Sequence, residues 1–333
     1  IGTNLTLDTD ATGEGVATDA GSITVNGTVD GDFVLTLDPA ADAGVSGTVS
    51  VTGAIGGGTA LNGLSVPGAA QADLSDVRLD GTGVAASIAV AADLINLGGT
   101  AYQIVNGADG NDPITFTGPV DLLANVTVTG AGGDAAGDAV TFSSTVDADD
   151  ATANVRGFTV NAGAGDLSVG AIGSATVPSG AVTGGVTLTG AAITAGAITT
   201  SGAQNDTDAG AVTITGTGVV NLGTISAVGG TDTDGSGHAG GAVDIAGDTV
   251  TVGAVAARGS AAVGSGDGGN GGNVDLDATN GTTPTITLSG NISTGGGANA
   301  GGVDGTAGTV TFNDPVLLDT GASITIDTTD GGG

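Results

Sequence analysis

The chain has 333 residues, 68 of them Gly, with three Arg, no Lys, one Glu and a formal charge of −32; Cys, Met and Trp are absent. That acidic excess excludes nucleic acid as a partner, because phosphate binding needs a basic footprint, and the lack of Cys excludes disulfides and metal thiolates. Aromatics at 2% argue against a thick globular core, whereas 39% apolar residues, carried by Val, Ala, Ile and Leu, suit a thin, regularly layered one.

From the N-terminus onward the pattern is period-two. Leu5-Thr6-Leu7, Ile23-Thr24-Val25 and Val49-Ser50-Val51 alternate apolar residues with hydroxyls, which predicts strands with one face inward. Gly, Asn and Asp punctuate the runs and supply the corners. The one Gly-free, Ala-rich stretch is Ala85 to Leu97. Its apolar residues fit neither helix nor strand period cleanly, and it reads as strand, turn and strand. Further strands are expected at Val126-Thr127-Val128, Val212-Thr213-Ile214, Val250-Thr251-Val252, Ile286-Thr287-Leu288 and Ile324-Thr325-Ile326. No run approaches the roughly twenty continuous apolar residues of a membrane helix. No signal peptide is visible, and a start at Ile1 rather than Met reads as a processed product or a segment of something longer.

One phrase recurs in the second half: glycine, a small residue, valine, a polar residue, then a large aliphatic or Phe. The copies begin at Gly184, Gly210, Gly241, Gly272 and Gly308, so their starts are 26, 31, 31 and 36 residues apart. A repeat that admits extra residues only between copies is the mark of stacked coils with loops bulging from one side. The expected fold is therefore all-β, a parallel β-helix or β-solenoid with Gly/Asp-rich loops projecting from its rungs. In Gly241–Gly271 the three strands of a rung are expected at Val243–Ile245, Thr249–Val252 and Val255–Ala257. Stacking then puts Val186, Val212, Val243, Val274 and Val310 in one interior column. Leu188, Ile214, Ile245, Leu276 and Phe312 form the next. Residues 1–112 read as a solenoid module with irregular rungs and residues 113–333 as one with regular rungs, continuous with each other. The loops between rungs are expected to be flexible.

A longer repeat pairs ITFTGPVDLLANVTVT, from Ile114, with VTFNDPVLLDTGASITI, from Val310; another pairs Asn125–Asp147 with Asn4–Asp30. The chain thus ends on the phrase in which it begins, as expected of one period of a longer array or of a unit that joins its own copies.

The phrasing TVDGDFVLTLDPAADAGVSGTVSVTGAIGGGTALNGLSV and GGNVDLDATNGTTPTITLSGNISTGGG resembles the bacterial β-strand-repeat surface proteins and the filamentous-haemagglutinin-like adhesins. The likeness covers most of the chain and is one of repeat style, without a catalytic motif. It implies a right-handed coil and a place outside the cell or on its surface.

Groups for chemistry are scarce. One His (His238), one Tyr (Tyr102) and three scattered Arg (Arg78, Arg156, Arg258) are a poor set for catalysis, and no enzyme activity is expected. Oxygen-rich turns are the better candidates. Asp149 and Asp150, Asp206 and Asp208, and Asp232 and Asp234 lie in Gly-rich or Asp-rich loops that offer carboxylates and carbonyls to Ca2+. The repeat-in-toxin nonapeptide is matched only in fragments, and the same Asp residues serve equally to cap turns and solvate the surface. Thr-x-Thr pairs raise ice binding, though Thr is also the ordinary outward partner of Val on a strand. Asn4, Asn26, Asn125, Asn205, Asn280 and Asn291 head glycosylation sequons. The expected function is an extracellular structural one: a self-assembling subunit or repeat segment of a fibre, sheath or surface filament that stacks head to tail with its own copies. The alternatives are an adhesin segment whose loops bind a surface or polysaccharide, and then a β-helix enzyme acting on polysaccharide.

Overall fold

The computed structural model describes residues 4–9, 20–41, 44–82, 85–106, 112–130, 139–149, 155–173, 181–202, 207–230, 235–279, 285–299, 301–319 and 323–331. Strands and corners make up this fold, with no helix among the described residues and hence none long and apolar enough to cross a membrane. Every strand pairing described is parallel, and the chain is a β-solenoid organised in two compact units. The first comprises Ile1–Val146 with Val160–Val169, and the second Asp147–Thr159 with Gly170–Gly333.

The second unit shows the coil most plainly. Its first sheet stacks Val186–Gly190, Val212–Gly216, Val243–Gly247, Val274–Ala278 and Val310–Phe312. The second stacks Ile193–Ala195, Val219–Leu222, Thr249–Val252, Ile286–Leu288 and Val316–Leu318, and the third stacks Ile198–Thr199, Ile225–Ser226, Val255–Ala256, Ile292–Ser293 and Ile326–Asp327. The register sets Val186 on Val212, Val243, Val274 and Val310, and Leu188 on Ile214, Ile245, Leu276 and Phe312. These are the two columns the repeat predicts. The first four members of each are buried; Val310 and Phe312, in the last coil, are half-exposed. Only the inner face is covered, which is why the strands alternate instead of running wholly apolar as doubly covered parallel strands do.

The repeat's glycine has a cause that the backbone makes visible. A Cβ on Gly241 would strike the carbonyl of Gly210, one on Gly272 the carbonyl of Gly241, and one on Gly308 the carbonyl of Gly272. No positive φ is involved at these positions. Coils stack here backbone on backbone at a corner too tight for any side chain.

In the first unit one sheet stacks Leu5–Asp8, Val34–Asp38, Gly63–Ala69, Ser87–Ala92, Ile114–Thr117, Val140–Phe142 and Leu167–Val169. Its inward column runs Leu5, Leu35, Leu64, Ile88, Ile114, Val140, Leu167. The neighbouring outward column is Thr6, Thr36, Ser65, Ala89, Thr115, Thr141, Ser168, a hydroxyl at every position but Ala89. A second sheet holds Ile23–Val25, Thr48–Val51, Gln71–Leu74, Ile95–Leu97 and Val120–Leu122, and a third Val77–Asp80, Ala101–Val105 and Val126–Thr129. The ambiguous Ala85–Leu97 stretch is strand, turn and strand, at Ser87–Ala92 and Ile95–Leu97. The few large side chains are gathered here. Phe116 stacks on Phe142 with ring centroids 4.9 Å apart, and Tyr102 meets Phe116 edge-on at 6.2 Å. The buried Tyr102 hydroxyl donates to the Leu74 carbonyl at 2.8 Å and accepts from the Gly99 N–H at 3.0 Å. Burial pushes its pKa upward, so it stays a neutral donor.

Candidate functional surfaces

The described loop residues of the second unit are knitted together by backbone hydrogen bonds. Gly229 N–H donates to Arg258 O, Gly240 N–H to Asn270 O, Gly259 N–H to Gly295 O, and Gly271 N–H to Thr306 O, at 2.8–3.0 Å. Each bond joins one coil's loop to the next. A Cβ on Gly268 would collide with the Gly297 carbonyl, and one on Gly269 with that of His238. Glycine therefore permits a second, side-chain-free layer of stacking alongside the strands.

Side-chain carboxylates and amides stitch the same layer. Asp267 Oδ1 accepts from Val303 N–H at 2.7 Å, Asn270 Oδ1 from Thr306 N–H at 2.9 Å, and Asn273 Oδ1 from Thr309 N–H at 2.9 Å. Each pair is 36 residues apart, one coil. Irregular backbone leaves donors unpaired, and an Asp or Asn one coil away supplies the acceptor. This role for loop Asp was legible only as turn capping, because the partner lies a full coil away in sequence.

Of the expected calcium ligands, two are described. Asp208 Oδ1 accepts from Ala239 N–H at 2.7 Å and lies 3.6 Å from His238 Nδ1. Asp149 forms a bidentate pair with Arg156, both contacts at 2.8 Å. That hydrogen-bonded carboxylate raises the pKa of Arg156. Asp150, Asp206, Asp232 and Asp234 lie outside the described residues. Among the described residues no group of three or more His, Asp or Glu side chains is arranged to hold a metal ion. His238 N–H donates to Ser260 Oγ at 2.7 Å, so that hydroxyl serves the backbone of the single histidine.

An acidic face that sequence reasoning missed lies on the first sheet of the second unit. Asp244 and Asp275 are register partners pointing outward, and Asp277 and Asp314 sit beside them. Asp314 Oδ2 accepts from Ala278 N–H at 3.0 Å, and Asp275 Oδ1 from Asn313 Nδ2 at 2.8 Å. Partial burial raises the pKa of Asp277. The Asp314 hydrogen bond and the like charges of Asp314, Asp275 and Asp244 raise it further. A raised carboxylate favours the folded state when protonated and opposes it when ionised. Asp277→Asn should therefore stabilise the protein at pH 7, by no more than ~0.5 kcal/mol at so open a site. The gain should vanish as pH falls towards the ordinary aspartate value of ~3.9. Thermal melts of both proteins across pH 3–8 check this; equal melting at pH 7 would count against it.

The first unit carries an open groove of about 520 Å³, lined by Asp32, Thr59, Asn62, Arg78, Asp80 and Thr82, with Gly58 and Ala60. Val77 and Leu79 of the same strand point into the core, which turns Arg78 and Asp80 outward. The Thr82 hydroxyl and N–H, at 2.6 and 2.9 Å, hold the Asp80 carboxyl below its usual range.

Comparison with protein-family models, with curated proteins and with solved structures finds no match at any of the three levels, so the coil and its surfaces carry the functional reading by themselves.

Proposed function

We propose that this chain is a structural protein, a β-solenoid subunit or repeat segment that stacks end to end with its copies into a fibre, sheath or surface filament outside the cell. The supporting observation is the state of the outermost coils. Leu318 is 50% exposed and Ile326 46%, whereas their register partners one coil inward, Leu288 and Ile292, are fully buried. At the other extreme, Leu5 and Leu7 are 42% and 37% exposed over buried Leu35 and Leu37. Coils so exposed carry core-type side chains and strand edges that template pairing with whatever coil adjoins them, a further coil of the same chain or one of a second copy. A second copy laid on Val316–Leu318 would bring Leu5 and Leu7 to the positions where a further coil places its aliphatics. The acidic charge opposes that approach, so assembly is expected to strengthen as salt screens it. The absence of Cys and Lys leaves assembly to non-covalent stacking, and the same composition suits an extracellular setting.

Electron microscopy of the protein at low and high ionic strength tests the proposal. Filaments with a repeat of about 4.8 Å along the axis are expected, as strand spacing demands. The double substitution Leu318→Asp and Ile326→Asp should abolish them while leaving the far-UV circular dichroism in place. Monodisperse monomer at every ionic strength and concentration would overturn the reading.

A further inference from the structure

We propose that the groove around Arg78 in the first unit binds a neutral saccharide. This inference is independent of the assembly reading.

The groove is built by sequence features that fix its walls. Gly56 has φ +73°, and a Cβ there would meet the Arg78 carbonyl, so only glycine lets the 56–62 loop lie against the Val77–Asp80 strand. Asp30 Oδ1 then grips this loop, accepting from Gly58 N–H at 2.6 Å and Thr59 N–H at 3.1 Å. Asn62 N–H donates to Phe33 O at 3.0 Å. The loop is thus held by the coil before it and lies on the coil after it. A binding surface fixed beforehand loses little entropy when a ligand arrives.

Its chemistry selects the ligand. Asp32 offers a planar pair of acceptors, Asp80 the lone pairs left over by Thr82 and Asn106, Arg78 a planar fork of donors, and Asn62 one of each. Thr59 and Thr82 bring hydroxyls to the rim. Among the described residues, no carboxylate comes within 4.0 Å of the Arg78 guanidinium, although its charge reaches Asp80 and helps to hold that carboxyl low. An apolar ligand would strip water from these groups and return nothing. Phosphates and acidic sugars meet Asp32 and Asp80 within a chain of charge −32. Cations meet Arg78. A neutral polyol satisfies both kinds of partner at once, since each hydroxyl donates to a carboxylate and accepts from the guanidinium or amide. Adjacent ring hydroxyls also present such pairs side by side. The volume falls within the range of small-ligand sites and accommodates one or two sugar rings.

The test is a calorimetric or saturation-transfer NMR titration of the whole chain with cellobiose, maltose, chitobiose and mannobiose, and with digalacturonate as the acidic comparator. Arg78→Gln and Asn62→Ala are titrated in parallel, with far-UV circular dichroism to check the fold. Saturable binding of at least one neutral disaccharide is expected, weakened about tenfold in each variant by the loss of a polar partner. Binding by neither the parent nor any variant, binding indifferent to both substitutions, or tighter binding of digalacturonate would each overturn the proposal. Because neither Arg78 nor Asn62 belongs to the exposed apolar rows at Leu5, Leu7, Leu318 and Ile326, filament assembly should be unchanged in both variants, which separates failure of this inference from failure of the assembly reading.

Discussion

Ile245→Asp is expected to unfold the second unit. Ile245 is fully buried, stacked between Ile214 below and Leu276 above. Removing a buried aliphatic of this size costs about 2–5 kcal/mol, and an unpaired carboxylate in the same place costs several more. No donor waits inside a column of aliphatics. The sum reaches the whole stability of an ordinary domain, ~5–15 kcal/mol. Hydrogen exchange should show amides of residues 186–293 losing protection together, with a matching loss of β-sheet circular dichroism. Native-like protection across that span would contradict the stacked register. Phe312→Asp provides the contrast: Phe312 occupies the same column in the last coil but is half-exposed, so the loss should be confined to that coil.

Gly272→Ala is expected to destabilise by about 1–3 kcal/mol, the range of forced overpacking, although it adds a single methyl group and suits an extended backbone. The new Cβ would strike the backbone carbonyls of Gly241 and Gly240. Neither neighbour is a side chain that can swing away. Gly301→Ala is the control, because its Cβ would lie 3.4–3.7 Å from its neighbours, an ordinary contact. Surface changes of that kind stay within about 0.5 kcal/mol. Denaturant melts of the two variants decide the matter; equal midpoints would mean that the glycine column is not a packing constraint.

What the sequence made legible follows from distance along the chain. Alternation is local, so Val243–Gly247, Thr249–Val252 and Val255–Ala256 could be placed within a residue or two of their observed bounds. Recurrence at 26–36 residues carried the stacking, and with it the columns through Val243 and Ile245. The acidic face escaped notice because Asp244 and Asp314 join Asp275 and Asp277 only when separate coils are laid in register. Arg78 looked isolated for the same reason: Asp32 and Asn62, which share its groove, belong to other coils. Glycine-rich loops were the least legible. Read singly, Gly235–Gly240 or Gly264–Gly272 has few side chains with which to order itself, whereas stacked backbones satisfy one another's N–H and C=O groups directly, and Asp267 and Asn270 reach one coil on.

In the second unit, added length enters at the corners between strands. It lies between Ala278 and Ile286 in one coil, and after Ser226, Ala256 and Ser293 in others, while the strands on either side hold their alignment. Such a molecule can gain or lose segments at these corners without disturbing the aliphatic columns beside them. Peptides grafted there would be presented at successive levels along the coil axis, making the unit a ready scaffold for multivalent display.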